Sequence, residues 1–119
     1  SVVAQEVNVS LALSELAATG ECPNFIETYQ VFQLDQPPPS HVWGGPDWDQ
    51  AERSVYQYIR MELCDLGDFE EHLKVLPDEL LKVAEARVAL FQMVYALYIG
   101  RKVAHLRHND VKLLNFFLA

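Results

Sequence analysis

Three side chains near the C-terminal end have the types and spacing to move a phosphate. Asp110, Lys112 and Asn115 stand as D-x-K-x-x-N within "RHNDVKLLNFF", and His108 lies two residues before the aspartate. A carboxylate can orient an attacking hydroxyl and take its proton. An ammonium can offset charge on the phosphate in transit, and an amide oxygen can hold a magnesium ion. A plain polar turn between a helix and a strand would use the same residue types. Asp110 is the hardest of them to assign to such a turn, because Asn109, Val111 and Lys112 beside it give it no evident structural task. His108 is expected to be structural, packing and hydrogen-bonding to hold the loop, while His72 and His105 show no partner spacing.

Groups that act together on one phosphate must be held still, so the flanking elements matter. Upstream, Pro77-Asp78-Glu79 suits a first helical turn. From Leu80 to about Ala104 the chain is apolar on most faces, broken by Lys82, Glu85, Arg87 and Gln92. That pattern predicts one long helix buried at the centre of a helical lobe. Downstream, "FFL" predicts a buried strand that anchors the loop.

The rest of the chain supplies smaller elements. Residues 2–18 set Val2, Val9, Leu13 and Leu16 close to a helical stripe that stops at Thr19-Gly20. "NFIETYQVFQL" and "SVYQYIRMELCD" are rich in β-branched and aromatic residues and read as two antiparallel strands. Between them "DQPPPSHVWGGPDWDQ" excludes regular structure and reads as a long surface loop, in which Trp43 and Trp48 are open to two readings, a partner-binding knob or rings folded back on their own domain. Gly67 is a hinge, Asp68 an N-cap, and a short helix follows. The expected fold class is α+β: short antiparallel strands and a helix, then a mainly helical lobe.

Bulk properties narrow the function. A chain of 119 residues, half of them apolar, is long enough for one packed domain. Its formal charge of −8 opposes general affinity for nucleic acid or anionic membrane. Acids dominate up to Glu85, whereas Arg101, Lys102, Arg107 and Lys112 make the last stretch locally basic. Cys22 and Cys64 have no metal-type spacing and are expected as reduced core thiols of an intracellular protein, in cytoplasm or nucleus. The most apolar stretch, Val88 to Ile99, is about a dozen residues. A bilayer needs roughly 20, so a buried helix and no membrane is the expectation.

With those residues in view, "HNDVKLLN" resembles the catalytic loop of eukaryotic protein kinases of the serine/threonine type, H-R-D-L-K-x-x-N. "MELCDLGDFEEHL" resembles a kinase hinge running into its short helix, and "AQEVNVSLALSEL" resembles kinase helix C. The run from "EVNVSLALSEL" to "NFIETYQVF" is similar to haspin-type kinases. The likeness covers nearly the whole chain, with residues 1–64 as part of the N-lobe and hinge and 65–119 as the start of the C-lobe. It implies ATP and magnesium as cofactors and a protein substrate. By the same likeness Asp110 is the catalytic base, Lys112 the phosphate-charge neutraliser and Asn115 a magnesium ligand. Met61 is the gatekeeper, backbone groups of Glu62 and Cys64 meet the adenine edge, Asp68 meets the ribose, and Glu6 pairs with a strand lysine. Glu6 also reads as a solvated acid, and Asp68 as only a helix cap.

Departures from the family carry information too. Asn109 replaces the arginine that pairs with a phosphorylated activation loop, which implies an activity not gated by such a latch. Lys112 is the serine/threonine kinase residue, where haspin and small-molecule phosphotransferases tend to carry histidine. No Gly-rich loop, no strand lysine and no D-F-G occurs in these residues. The expectation is therefore a central piece of a kinase domain, partnered by the remainder of that domain. The alternative is a pseudokinase or truncated kinase-like module that binds a partner.

Overall fold

The computed structural model describes residues 2–39, 41 and 55–119. Among them the order is α1 (Val2–Ala18), β1 (Thr28–Leu34), β2 (Tyr56–Met61), α2 (Phe69–Lys74) and α3 (Val83–Ala104), with 3-10 turns at Pro77–Glu79 and Leu113–Asn115. The α+β class and the antiparallel strand pair are present as the sequence suggests. Trp43 and Trp48, and most of the Pro/Gly loop that carries them, lie outside the described residues.

Two compact units share the chain: Thr28–Met61 is one, and Ser1–Glu27 with Glu62–Ala119 is the other. In the first, β1 and β2 pair antiparallel, with Val31 opposite Ile59 and Phe32 opposite Tyr58. The rings of Phe32 and Tyr58 stack with centroids 5.5 Å apart, the aromatic cross-strand pair that steadies a two-stranded sheet. A register shift between Thr28 and Gln30 breaks the alternation.

In the second unit α1 packs on α3. Leu16, Cys22 and Ala96 form the buried cluster, with Leu13, Phe25, Tyr95 and Ile99 against it. Leu13 and Leu16 lie on the stripe read from sequence, and α1 ends where Thr19-Gly20 suggested: Gly20 takes φ +78 and Cys22 N–H returns to Leu16 O at 3.0 Å. Glycine reaches that left-handed conformation at little cost.

Three expectations need correction. Pro77 does not open the long helix. Asp78 and Glu79 sit at φ 54 and 55, and left-handed residues cannot propagate a right-handed helix, so α3 starts at Val83. There the Lys82 N–H donates to Glu85 Oε2 at 3.2 Å. Second, the helix is long but not buried. Only Ala96 and Gly100 are buried, while Val83, Val88, Leu90, Phe91, Val94 and Tyr98 are exposed, because α1 covers one side alone. At 22 residues it is long and apolar enough to cross a membrane by length and composition. Third, the final strand shrinks to a bridge between Phe117 and Asp68, because the chain facing it turns into α2 at Phe69.

Candidate functional site

The polar loop is built by a sharp reversal at the end of α3. His105 caps the helix at φ 53, and Leu106 N–H returns to Gly100 O at 3.1 Å. Gly100 gives that return room: a Cβ there would lie 2.9 Å from Leu106 Cδ2 and 3.2 Å from Phe25 Cζ, and those side-chain ends would have to shift. On the far side, Phe69 N–H donates to Phe116 O at 2.8 Å, and Leu118 N–H donates to Gly67 O at 2.9 Å. These bonds fasten the loop's exit to the segment entering α2, although a full strand is absent. Anchorage at both ends is what a loop needs in order to present side chains in fixed positions.

Within the loop the three groups converge. Asn115 Nδ2 donates to the Asp110 backbone oxygen at 2.8 Å and to Asp110 Oδ2 at 3.2 Å. Lys112 Nζ lies 3.5 Å from the same Oδ2. Asp110 N–H donates to His108 Nδ1 at 3.3 Å, and Asn109 takes φ 60, which turns the chain between them. His108 makes a hydrogen bond within the loop but stays exposed, without the packing expected of it. Asp110 and Lys112 stay 66% and 52% exposed, so their ion pair adds no more than about 1 kcal/mol to stability. One Asp110 oxygen is engaged twice; Oδ1 has no hydrogen-bond partner among the described residues. The amide of Asn115 spends its nitrogen on Asp110, which leaves its own oxygen as the atom able to meet a cation.

The remaining candidates are placed as follows. Met61 ends β2 and is exposed. Glu62 is tied by two bonds: its N–H donates to Glu27 O at 2.8 Å, and its Oε2 accepts from Glu27 N–H at 3.2 Å. Cys64 is half-buried and free, and burial first, then Glu62 and Asp65, push its thiol pKa up. Asp68 caps α2, its Oδ1 accepting from Glu71 N–H at 2.9 Å, so the capping role is realised. The bridge to Phe117 sets the Asp68 backbone beside the loop's exit, two residues from Asn115. Glu6 is an exposed residue of α1.

Fit to the implied cofactors is partial. Among the described residues no group of three or more His, Cys, Asp or Glu could hold a metal ion. Magnesium typically keeps several waters and takes few protein ligands beside nucleotide phosphates, so the Asn115 oxygen fits as one ligand of such an ion. Several contacts escaped sequence reasoning: the Asn115 donor bonds to Asp110, the Glu62–Glu27 pair, and the bond from Asn24 Nδ2 to Gln92 Oε1 at 3.0 Å. Each joins side chains and backbone through geometry that no local motif announces. No family model, curated protein or solved structure matches the chain.

Proposed function

We propose that this chain is the central part of an ATP-dependent protein kinase that phosphorylates serine or threonine hydroxyls. The convergence of Lys112 and Asn115 on one oxygen of Asp110 carries the reading. Asp110 Oδ1 accepts the proton of the substrate hydroxyl, whose oxygen attacks the γ-phosphorus as the bond to the β-bridging oxygen breaks and ADP leaves. Lys112, anchored by Oδ2, turns its remaining donors to the charge on the moving phosphoryl group. His108 and Asn115 keep the carboxylate in place. Magnesium with the nucleotide supplies charge neutralisation on the phosphates, and the Asn115 amide oxygen is where this chain would contact it.

In the same reading the backbone of Glu62 and Cys64 receives the adenine edge, Met61 is the gatekeeper, Asp68 meets the ribose, and Glu6 pairs with a lysine the chain does not contain. The remainder of the kinase domain covers the apolar side of α3. The partner is a protein substrate, not nucleic acid or a bilayer; Glu85, Arg87 and Gln92 interrupt the helix. In this reading the free thiols of Cys22 and Cys64 fit an intracellular protein, in cytoplasm or nucleus.

The test is Asp110→Asn in the full-length protein. Phosphoryl transfer should fall at least about 100-fold, the scale of losing a positioned base. Nucleotide affinity, read as thermal shift with ATP and magnesium, should stay. Unchanged turnover would defeat the assignment of the base. No thermal shift with wild type would instead favour a kinase-like module that only binds a partner.

A further inference from the structure

The cations around the loop are distributed unlike those elsewhere. Residues 1–85 carry sixteen of the seventeen acids and four Lys/Arg, whereas residues 100–119 carry Arg101, Lys102, Arg107 and Lys112 against Asp110 alone. Most of those cations have local work. Arg101 and Lys102 lie in the last turn of α3, where positive charge offsets the negative end of the helix. Lys102 Nζ also lies 5.9 Å from the centre of the Tyr98 ring. Lys112 is paired with Asp110.

Arg107 has no such task. It is exposed, and among the described residues it makes no ion pair or hydrogen bond. The return of Leu106 N–H to Gly100 O sets its backbone next to the turn carrying Arg101 and Lys102. It is three residues before Asp110, so their Cα atoms are at most about 10 Å apart. That span equals about three residues of extended peptide. A guanidinium matches a carboxylate as a two-point fork, which makes it suited to reading an acidic side chain.

We propose that Arg107, backed by the basic turn at Arg101 and Lys102, binds an acidic side chain of the peptide whose hydroxyl reaches Asp110. The acceptor serine or threonine then has Asp or Glu within about three positions of it. This rests on the kinase reading for its chemistry, but its recognition element is separate from the transfer machinery.

The test uses the full-length protein with labelled peptides holding one serine amid acidic, neutral or basic flanks. Binding is read by fluorescence anisotropy, and transfer by KM and kcat. Acidic flanks should bind best, and raising the salt should erase their advantage. Arg107→Gln should cut the ratio of acidic to neutral peptide affinity about tenfold, and Arg107→Lys should restore only part of it. Equal or better binding of neutral or basic peptides would overturn the proposal, as would Arg107→Gln weakening every peptide alike. Tight acidic binding without transfer supports the Arg107 contact while defeating the kinase reading. Transfer without acidic preference does the reverse.

Discussion

Asp110 has two inequivalent oxygens, and that asymmetry makes the cluster chemically interpretable. Oδ2 is held by Asn115 and Lys112, so the free Oδ1 is the one able to meet a hydroxyl. Under the proposed kinase reading the Asn115 amide has two duties, and Asn115→Asp separates them. It keeps an oxygen for a cation, but it replaces a donor with a second carboxylate facing Asp110, where like charges repel. The expected result is a fall of about 100-fold in kcat, with the magnesium dependence of ATP binding retained; steady-state kinetics and a metal titration check it. Cys64 offers a second probe. Its thiol pKa is raised by burial and by Glu62 and Asp65, so little of the reactive thiolate exists at neutral pH. Iodoacetamide should label it more slowly than it labels an exposed thiol, and ATP should slow labelling further if the adenine edge lies there. The sign for stability follows. Below the ordinary thiol range both folded and unfolded chains keep the proton. As pH rises through that range the unfolded chain loses its proton first, so stability declines, and Cys64→Ala should remove that share of the alkaline loss in urea titrations.

At the scale of elements, the helix ends say most. Asp68 was readable as a cap from sequence because Gly67-Asp68 precedes an acidic first turn, and the cap bond to Glu71 N–H is there. Asp68→Ala should cost about 1 kcal/mol, while Asp68→Ser keeps a capping oxygen and should cost little. Loss of nucleotide affinity in the serine variant, without loss of stability, would separate ribose contact from capping. α3 ends less comfortably. His105 holds a left-handed φ of 53 at the position where glycine is favoured, and it is exposed. His105→Gly should therefore raise stability by roughly 0.5–1 kcal/mol in urea unfolding, provided the cap geometry holds. Other boundaries were not legible. Pro77-Asp78-Glu79 has the composition of a helix start, yet whether Asp78 and Glu79 take left-handed angles depends on how the chain must turn to reach α3. The strand implied by "FFL" depended on a partner, and the facing segment gives it one bridge before becoming α2. Periodicity reports which face of a segment is apolar; it does not report what stands opposite.

For the whole molecule, α3 is where composition and burial disagree most. Its apolar residues suggested a central buried helix, but Phe91 is 68% exposed and only Ala96 and Gly100 are buried. The sequence correctly marked the helix as apolar, and it put Leu13 and Leu16 on one stripe of α1, which in the structure packs against α3. It could not say how much of α3 the other residues of this chain would cover. Under the proposed reading, the remainder of a kinase domain supplies that cover, and Phe91 gives a direct measure. In the 119-residue chain Phe91 stacks on Tyr95 with centroids 5.8 Å apart and is 68% exposed. Phe91→Ala should then cost no more than about 1 kcal/mol, the scale of one aromatic pair. In a protein that includes the Gly-rich loop, strand lysine and D-F-G segments, the ring would be packed, and the same change should cost about 3–5 kcal/mol. Urea unfolding of both lengths, wild type and variant, gives the four numbers needed. A small cost in both would mean that nothing in the longer chain covers this face, and the reading of these residues as the middle of a kinase domain would lose its account of α3.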